Sequence, residues 1–280
     1  MKETKNKEQD KTMNETTRRF ARLVDLSAVQ ATSTEADVRA CAELATRYNI
    51  ISVHVLPCWT RFLSTLLPQQ GTGEVMIGGP VGFPGGGHAT DTKVQEVRQL
   101  IADGAREVDM VVNIGKVLSG DYDYVREDLR RVVEAAAPVP AKVILETHYL
   151  NEEQIRRVCD IAVEVGMKWV KTSTGWAPTG ATVEKVSIIA DQLKGRIDIK
   201  GAGGIRDLAT VRALYQLGVR RFGMSHGAVT KVLAVVGGLI TLIGLVFLAT
   251  LAYSTGILGP SSSVIQRAYP SAPRFLPMTR

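Results

Sequence analysis

The sequence has few cysteines and aromatic side chains, and its net charge is small for its length. Cys41, Cys58 and Cys159 stand far apart and form no C-x-x-C pair. This spacing argues against a disulfide framework and a zinc site, and it is typical of a reducing compartment. The formal net charge is +6, and basic and aromatic residues do not interleave, so we expect no nucleic-acid partner. The mild positive balance suits an anionic small-molecule substrate.

Two further absences narrow the possible folds. No secretory signal peptide is expected, because the first apolar run comes late and is broken. No G-x-G-x-x-G follows the first strand-like run, which disfavours an open dinucleotide-binding sheet. Residues 1–20 mix charges without apolar periodicity, and we predict a polar, disordered N-terminal arm there.

Eight short β-branched runs recur about every thirty residues, and each is followed by a stretch of helical period. The runs cover residues 22–27, 50–57, 74–82, 107–113, 141–147, 169–174, 198–204 and 220–226. One helical stretch begins at Thr34 with Asp37 three residues later, close to a capping box. Another runs from Asn151 to Gly166, with helix start and stop residues at its ends. The pattern predicts an α/β fold, a (β/α)8 TIM barrel over residues 21–231, with a doubly wound open sheet as the alternative.

Two lysines in neighbouring strand-like runs carry the main chemical prediction. Lys171 lies in "WVKTST" and Lys200 in "DIKGAGG", while Asp109 lies in "EVDMVVN". A single lysine in a strand more often packs its aliphatic part against apolar neighbours while its ammonium group reaches water. Two on adjacent strands are harder to explain in that way, because crowded ammonium groups push one of them toward the neutral amine. A neutral amine attacks a carbonyl carbon, so the pair indicates covalent catalysis through an imine.

Glycine-rich turns indicate where a phosphate would bind. "GAGG" (201–204) follows the seventh run, and "SHG" (225–227) opens the last helix. Such turns are frequent without a ligand, but together they lie where phosphates bind in this fold, at exposed backbone N–H groups. The predicted substrate and phosphate contacts are Asp25, Ser27, Thr172, Gly203, Gly204, Ser225 and His226.

From Asp25 to about Gly227 the chain resembles the deoxyribose-phosphate aldolases, which are class I, Schiff-base aldolases. The motifs "EVDMVVNIG", "KVILET", "VKTSTG" and "KGAGGIR" carry the resemblance. It implies reversible cleavage of 2-deoxy-D-ribose 5-phosphate to D-glyceraldehyde 3-phosphate and acetaldehyde, with no metal or other cofactor. It also implies that Lys171 forms the imine, that Lys200 lowers the pKa of Lys171, and that Asp109 moves protons together with a bound water. Asp25 and Ser27 would support the polar network at the barrel mouth.

The chain departs from the family pattern at several positions. Trp176 stands where family members often carry a lysine or a ring residue, and His226 replaces the second serine of the last strand. His54 takes the place of a small or sulfur-containing residue, and we interpret it as a packed or supporting group rather than a catalytic base. These changes could alter substrate preference without removing the imine chemistry.

The C-terminal region departs furthest from the family. Residues 232–253 carry no charge over a length that can cross a bilayer. We predict a transmembrane anchor there, and a buried barrel-closing helix is the alternative. Arg220, Arg221 and Lys231 precede this segment, which would keep the catalytic barrel in the cytoplasm. Residues 254–280 are rich in proline and serine and are predicted to be unstructured.

Three functions therefore remain open at this point. The first is an active deoxyribose-phosphate aldolase acting on a sugar phosphate and an aldehyde. The second is a membrane-tethered barrel that binds sugar phosphate without turnover, and the third is a lysine aldolase for a longer keto sugar. The sequence is also compatible with a homodimer.

Overall fold

The computed structural model describes residues 15–67 and 75–238. The chain divides into two compact units. One is Glu15–Leu233, which contains the barrel, and the other combines Met1–Asn14 with Ala234–Arg280. Within the second unit the structure describes residues 234–238, which are helical.

Eight parallel strands close into a barrel in sequence order, and the first strand pairs with the last. The strands are β1 (Val24–Ala28), β2 (Ser52–Val55), β3 (Met76–Val81), β4 (Glu107–Val111), β5 (Ala141–Ile144), β6 (Trp169–Lys171), β7 (Asp198–Ala202) and β8 (Val219–Ser225). Each lies within a predicted run or extends it by one residue, so the (β/α)8 prediction is confirmed. The apolar core lies between this barrel and the surrounding helices, where Val38, Val97, Leu129 and Val158 are fully buried.

The helices follow the strands and alternate with them around the barrel. They are α1 (Glu15–Ala21), α2 (Glu35–Tyr48), α3 (Pro57–Leu66), α4 (Thr90–Ala102), α5 (Ile114–Leu118), α6 (Tyr122–Ala136), α7 (Glu152–Glu164), α8 (Val183–Leu193), α9 (Leu208–Gln216) and a final helix, α10, over residues 226–238. The capping box predicted at Thr34 and Asp37 is present at the start of α2. Asn151 caps α7, and Gly166 follows that helix with a positive φ of 84°.

The end of the predicted disordered arm is helical instead. Helix α1 covers residues 15–20 of that arm, and Phe20 and Ala21 are buried. Charged residues dominate the sequence of the arm, so its short apolar face is not evident from the composition. Arg19 and Glu15 form an exposed ion pair one helical turn apart. Residues 1–14 lie outside the described part of the chain.

The predicted apolar segment, 232–253, is described only over residues 232–238. These residues are the last part of α10, in which Val232, Leu233 and Val236 are buried. Within the described ranges, the longest apolar helices fall short of what a membrane crossing requires. The rest of the predicted anchor, and the tail predicted for residues 254–280, lie outside those ranges.

Candidate active site

Both predicted lysines contact one carboxylate oxygen inside the barrel. Lys171 at the end of β6 and Lys200 on β7 are paired in register, so their side chains point to the same side of the sheet. The Lys171 Nζ donates to Asp109 Oδ2 at 2.9 Å, and the Lys200 Nζ donates to the same oxygen at 2.7 Å. Lys171 is 8% exposed, whereas Lys200 and Asp109 are buried. Of the two lysine side chains, that of Lys171 therefore retains more access to solvent.

A third lysine occupies the other oxygen of the same carboxylate. Lys142 on β5 faces Asp109 in register, and its Nζ donates to Asp109 Oδ1 at 3.0 Å. The Lys142 ammonium also lies 2.8 Å from Glu107 Oε2. Arg221 on β8 donates to both oxygens of Glu107, at 2.8 and 3.0 Å. The cluster therefore extends from Lys171 and Lys200 at the barrel mouth into the barrel interior, toward the amino ends of the strands.

The fixed charges of this cluster balance when Lys171 is neutral. The buried carboxylates are Asp25, Glu107 and Asp109, and the lysine and arginine side chains below Lys171 that pair with them are Lys142, Lys200 and Arg221. Three negative and three positive groups cancel, and a protonated Lys171 would add one uncompensated charge. An uncompensated charge in a buried site is costly, so this arrangement favours the neutral amine at Lys171.

The pKa values of the buried groups follow from these contacts. Burial lowers the pKa of Lys171, Asp109 raises it and Lys200 lowers it further, which leaves it at about 8. Burial likewise lowers the pKa of Lys142, but Asp109 and Glu107 outweigh this effect and raise it. Burial raises the pKa of Asp109, and its three lysine neighbours bring it well below the usual range. Loss of water is thus a larger influence on Lys171 than the neighbouring ammonium of Lys200.

The imidazole of His54 fills the space beside this cluster. Its Nε2 lies 2.9 Å from Glu107 Oε1 and 3.4 Å from the Lys200 Nζ. The ring lies over Gly78, its register partner on β3, and a Cβ at Gly78 would overlap three ring atoms. His54 is 3% exposed. The interpretation of His54 as a packed, supporting group therefore fits its position.

A methyl group at position 78 should displace the His54 ring. We expect Gly78→Ala to lower the free energy of unfolding by about 1–3 kcal/mol, which is typical of overpacking. The control Gly115→Ala adds a Cβ with only an ordinary contact and should change stability little. Urea unfolding of Gly78→Ala, His54→Ser and the double variant measures the effect. The two substitutions should be non-additive, and strict additivity would contradict the overlap.

Three members of the cluster also have the spacing of a metal site. Asp25, His54 and Glu107 offer ligand atoms that all lie within 4.8 Å of one another. Both carboxylates, however, already pair with cationic side chains: Asp25 with Lys200 and Arg221, and Glu107 with Arg221. A divalent cation would have to displace these ion pairs, so we assign no metal to this cluster.

The other predicted contacts fall into two groups. Gly204, Ser225 and His226 are exposed and Gly203 is half-buried, and they lie at or just beyond the carboxyl ends of β7 and β8. Both glycines have positive φ, 86° and 81°, which favours glycine there.

Three predicted contacts lie deeper. Thr172 is buried, and its hydroxyl bonds the backbone of Ala202, where it ties β6 to β7. Ser27 donates to the Met224 carbonyl at 3.2 Å, and Asp25 belongs to the interior cluster. The structure therefore joins Asp25 to the lysines and separates the rim residues from them.

Sequence reasoning missed Lys142, Glu107 and Arg221. Glu107 lies two residues before Asp109, on the same face of β4, which a period of two could have revealed. Lys142 lies in an otherwise apolar run, as the two predicted lysines do. Applying the same argument to every charged strand residue would have added all three to the candidates, although it could not have shown that they face the barrel interior.

Comparisons with known proteins show the family and the barrel fold of this chain. The family model for DeoC/LacD aldolases matches residues 20–228. A protein of Klebsiella pneumoniae subsp. pneumoniae, named deoxyribose-phosphate aldolase, is 97% identical over 234 residues, which cover 84% of this chain and 94% of the relative. A protein of the same name from Rhizobium meliloti is 47% identical over 208 residues, covering 74% and 83%. The solved aldolase QR15 superposes with a TM-score of 0.70 at 33% identity, covering 78% of this chain and 94% of its own.

Proposed function

This chain belongs to the DeoC/LacD aldolase family, and we propose that it cleaves 2-deoxy-D-ribose 5-phosphate to D-glyceraldehyde 3-phosphate and acetaldehyde through an imine on Lys171. It is a carbon–carbon lyase of the class I type. The observation that carries the proposal is the triangle of Lys171, Lys200 and Asp109, in which two ammonium positions share one carboxylate oxygen. The reverse reaction, aldol addition, uses the same groups.

The neutral amine of Lys171 starts the reaction. It adds to the aldehyde carbon of the open-chain sugar, and loss of water gives a protonated imine. At pH 7 a pKa of about 8 leaves about a tenth of the amine neutral, far more than an ordinary lysine provides. The imine restores a positive charge where the structure places Asp109, at 2.9 Å from the Lys171 Nζ. The carboxylate therefore stabilises the intermediate electrostatically.

The carbon–carbon bond then breaks toward the imine. A base removes the proton of the 3-hydroxyl, the bond between carbons 2 and 3 breaks, and its electron pair passes into the imine to form an enamine on Lys171. Glyceraldehyde 3-phosphate leaves as the aldehyde. Protonation of the enamine carbon and addition of water release acetaldehyde and the free amine. Asp109 is the carboxylate within reach of the reacting nitrogen, and it moves these protons with water.

The sugar phosphate end of the substrate points toward the rim after β7 and β8. Gly204, Ser225 and His226 are exposed there, and α10 begins at residue 226 with its backbone N–H groups facing the turn. Gly203 and Gly204 both have the left-handed backbone that an anion-binding turn uses. These residues are the proposed phosphate contacts, and Thr172 supports them from between β6 and β7.

The two alternative functions are less well supported. A barrel that only binds sugar phosphate would have no need for three carboxylates and three basic groups packed around one reactive amine. A longer keto sugar would use the same imine chemistry and would differ in the shape of the pocket. The homodimer and the anchor at 232–253 stay predictions.

The test is a coupled assay that measures both products from 2-deoxy-D-ribose 5-phosphate. Equal release of acetaldehyde and glyceraldehyde 3-phosphate supports the proposal. If neither product forms although borohydride traps an imine with a keto sugar, the longer-sugar alternative is favoured. If neither product forms and no imine is trapped, the binding-only alternative is favoured.

The pH dependence of the reaction should report the pKa of Lys171. Because the free enzyme must supply a neutral amine, we expect kcat/KM to fall about tenfold for each pH unit below about 8 and to level off above it. Values of kcat/KM from steady-state rates at pH 5.5 to 9.5 define this acid limb of the profile. A flat profile between pH 6 and 8 would mean that an amine with this pKa does not limit the reaction.

A further inference from the structure

One aromatic residue reaches across the barrel mouth from β6 to the opposite side. Trp176 lies in the loop after β6, and its Nε1 donates to the Val29 carbonyl, just after β1, at 2.9 Å. Its ring also meets the ring of Phe83, after β3, edge-to-face at a centroid distance of 5.8 Å. In a closed barrel of eight strands, β2 stands opposite β6, with β1 and β3 on either side of it. The indole therefore spans the mouth between opposite walls.

The loop that carries Trp176 is held by its own hydrogen bonds. The Trp176 backbone N–H donates to Thr174 Oγ1 at 3.0 Å, and Thr174 donates through its N–H and its hydroxyl to Glu146 Oε2. Gly175, between them, has a φ of 87°, which turns the chain in a way that disfavours residues with a Cβ. The position of the indole is thus fixed both by this loop and by its partners across the mouth.

We propose that Trp176 determines which aldehydes this aldolase accepts, by closing the β1–β3 side of the mouth and directing the acceptor chain toward the rim after β7 and β8. This inference rests on the proposed function. Lys171 lies at the end of β6, next to β7 in the barrel, and is 8% exposed. Because two rings occupy the β1–β3 side, a bound chain longer than the reacting carbons is directed away from that side, toward β7 and β8. That direction leads to Gly204, Ser225 and His226.

The rings of Trp176 and Phe83 favour acceptor aldehydes with a polar end over acceptors with a bulky apolar end. The indole and phenyl rings of Trp176 and Phe83 offer an apolar surface but no charge to a phosphate. A phosphorylated three-carbon aldehyde is short enough to reach from Lys171 to the rim, where it can place its phosphate. A branched or aromatic aldehyde needs the volume that the rings fill, and even one methylene group too many in an apolar pocket changes kcat/KM by about 10–200-fold.

The experiment compares acceptors in the synthetic direction with acetaldehyde as donor. The acceptors are glyceraldehyde 3-phosphate and benzaldehyde, and the variants are Trp176→Ala, Trp176→Phe and Phe83→Ala. We expect Trp176→Ala to raise the ratio of kcat/KM for benzaldehyde over glyceraldehyde 3-phosphate by about tenfold or more. Phe83→Ala should shift the ratio in the same direction. Trp176→Phe keeps a ring but loses the bond to the Val29 carbonyl, and it should give an intermediate ratio.

The control is Tyr215→Ala, which removes an exposed ring from α9, away from the mouth. It should leave the acceptor ratio unchanged. An unchanged ratio in both Trp176→Ala and Phe83→Ala, with wild-type protein active on glyceraldehyde 3-phosphate, would overturn this inference and leave the proposed function intact. If Trp176→Ala fails to fold, Phe83→Ala and Trp176→Phe decide the question alone. Wild-type protein inactive with both acceptors would instead contradict the proposed function.

Discussion

Replacing Lys171 with methionine should reduce kcat by at least about 10⁴-fold, because the nucleophile of the reaction is lost. Methionine has a similar length, and the remaining bases still balance the three buried carboxylates. The fold should therefore persist, with an unchanged circular dichroism spectrum. The product assay with 2-deoxy-D-ribose 5-phosphate measures the loss.

The matched control for this substitution is Lys168→Met, an exposed lysine just before β6. It should retain full activity. Activity of a folded Lys171→Met protein within tenfold of the wild type would remove Lys171 from the reaction and with it the imine mechanism.

Replacing Lys200 with methionine should have the second largest effect. The Lys200 ammonium pairs with Asp109 Oδ2 at 2.7 Å and with Asp25 Oδ2 at 2.5 Å, and it lowers the pKa of Lys171. Without it, the cluster retains three carboxylates and two fixed cations, so Lys171 becomes the third cation. We expect the pKa of Lys171 to rise and kcat/KM at pH 7 to fall by about 10²-fold or more.

The pH profile separates this effect from a loss of structure. In Lys200→Met, the acid limb of kcat/KM should move to higher pH, and activity should recover in part toward pH 10. Imine trapping on Lys171 should persist at high pH, in contrast to Lys171→Met. A folded Lys200→Met protein that loses activity equally at all pH values would mean that Lys200 does not act through the pKa of Lys171.

The sequence predicted the barrel well because its local patterns agree with one another. Each β-branched run became a strand, and Thr34 and Asn151 begin helices as their capping patterns indicate. The association of Lys171, Lys200 and Asp109 also followed from their position at one edge of a closed sheet. Burial lowers the pKa of Lys171 more than the ammonium of Lys200 does, an order that the sequence alone does not give.

The parts that the sequence did not predict have physical reasons. Strands of a parallel barrel are buried on both faces, so alternation of polar and apolar residues does not reveal which side chains point inward. Lys142 and Arg221 could therefore have faced the helices as well as the interior. The contacts of Trp176 depend on three loops that are far apart in sequence, at positions 29, 83 and 176. Loop conformations of this kind follow from tertiary packing rather than from local patterns.

The helix at the end of the N-terminal arm also depends on tertiary packing, and for this reason the sequence did not predict it. A run of mixed charges suggested disorder up to residue 20, but Thr17, Phe20 and Ala21 form one buried face of a short helix. Most of the stability of such a short helix comes from packing, which a reading of charge alone does not detect.

Trapping of the imine tests the reactive amine most directly. The enzyme is mixed with one equivalent of acetaldehyde, reduced with borohydride and digested, and the ethylated lysines are mapped by mass spectrometry. Because the amine of Lys171 has a pKa of about 8 and its side chain keeps some access to solvent, we predict that it is ethylated well before exposed lysines such as Lys168. Ethylation of Lys171 no faster than that of Lys168, or first ethylation at Lys200, would contradict the account.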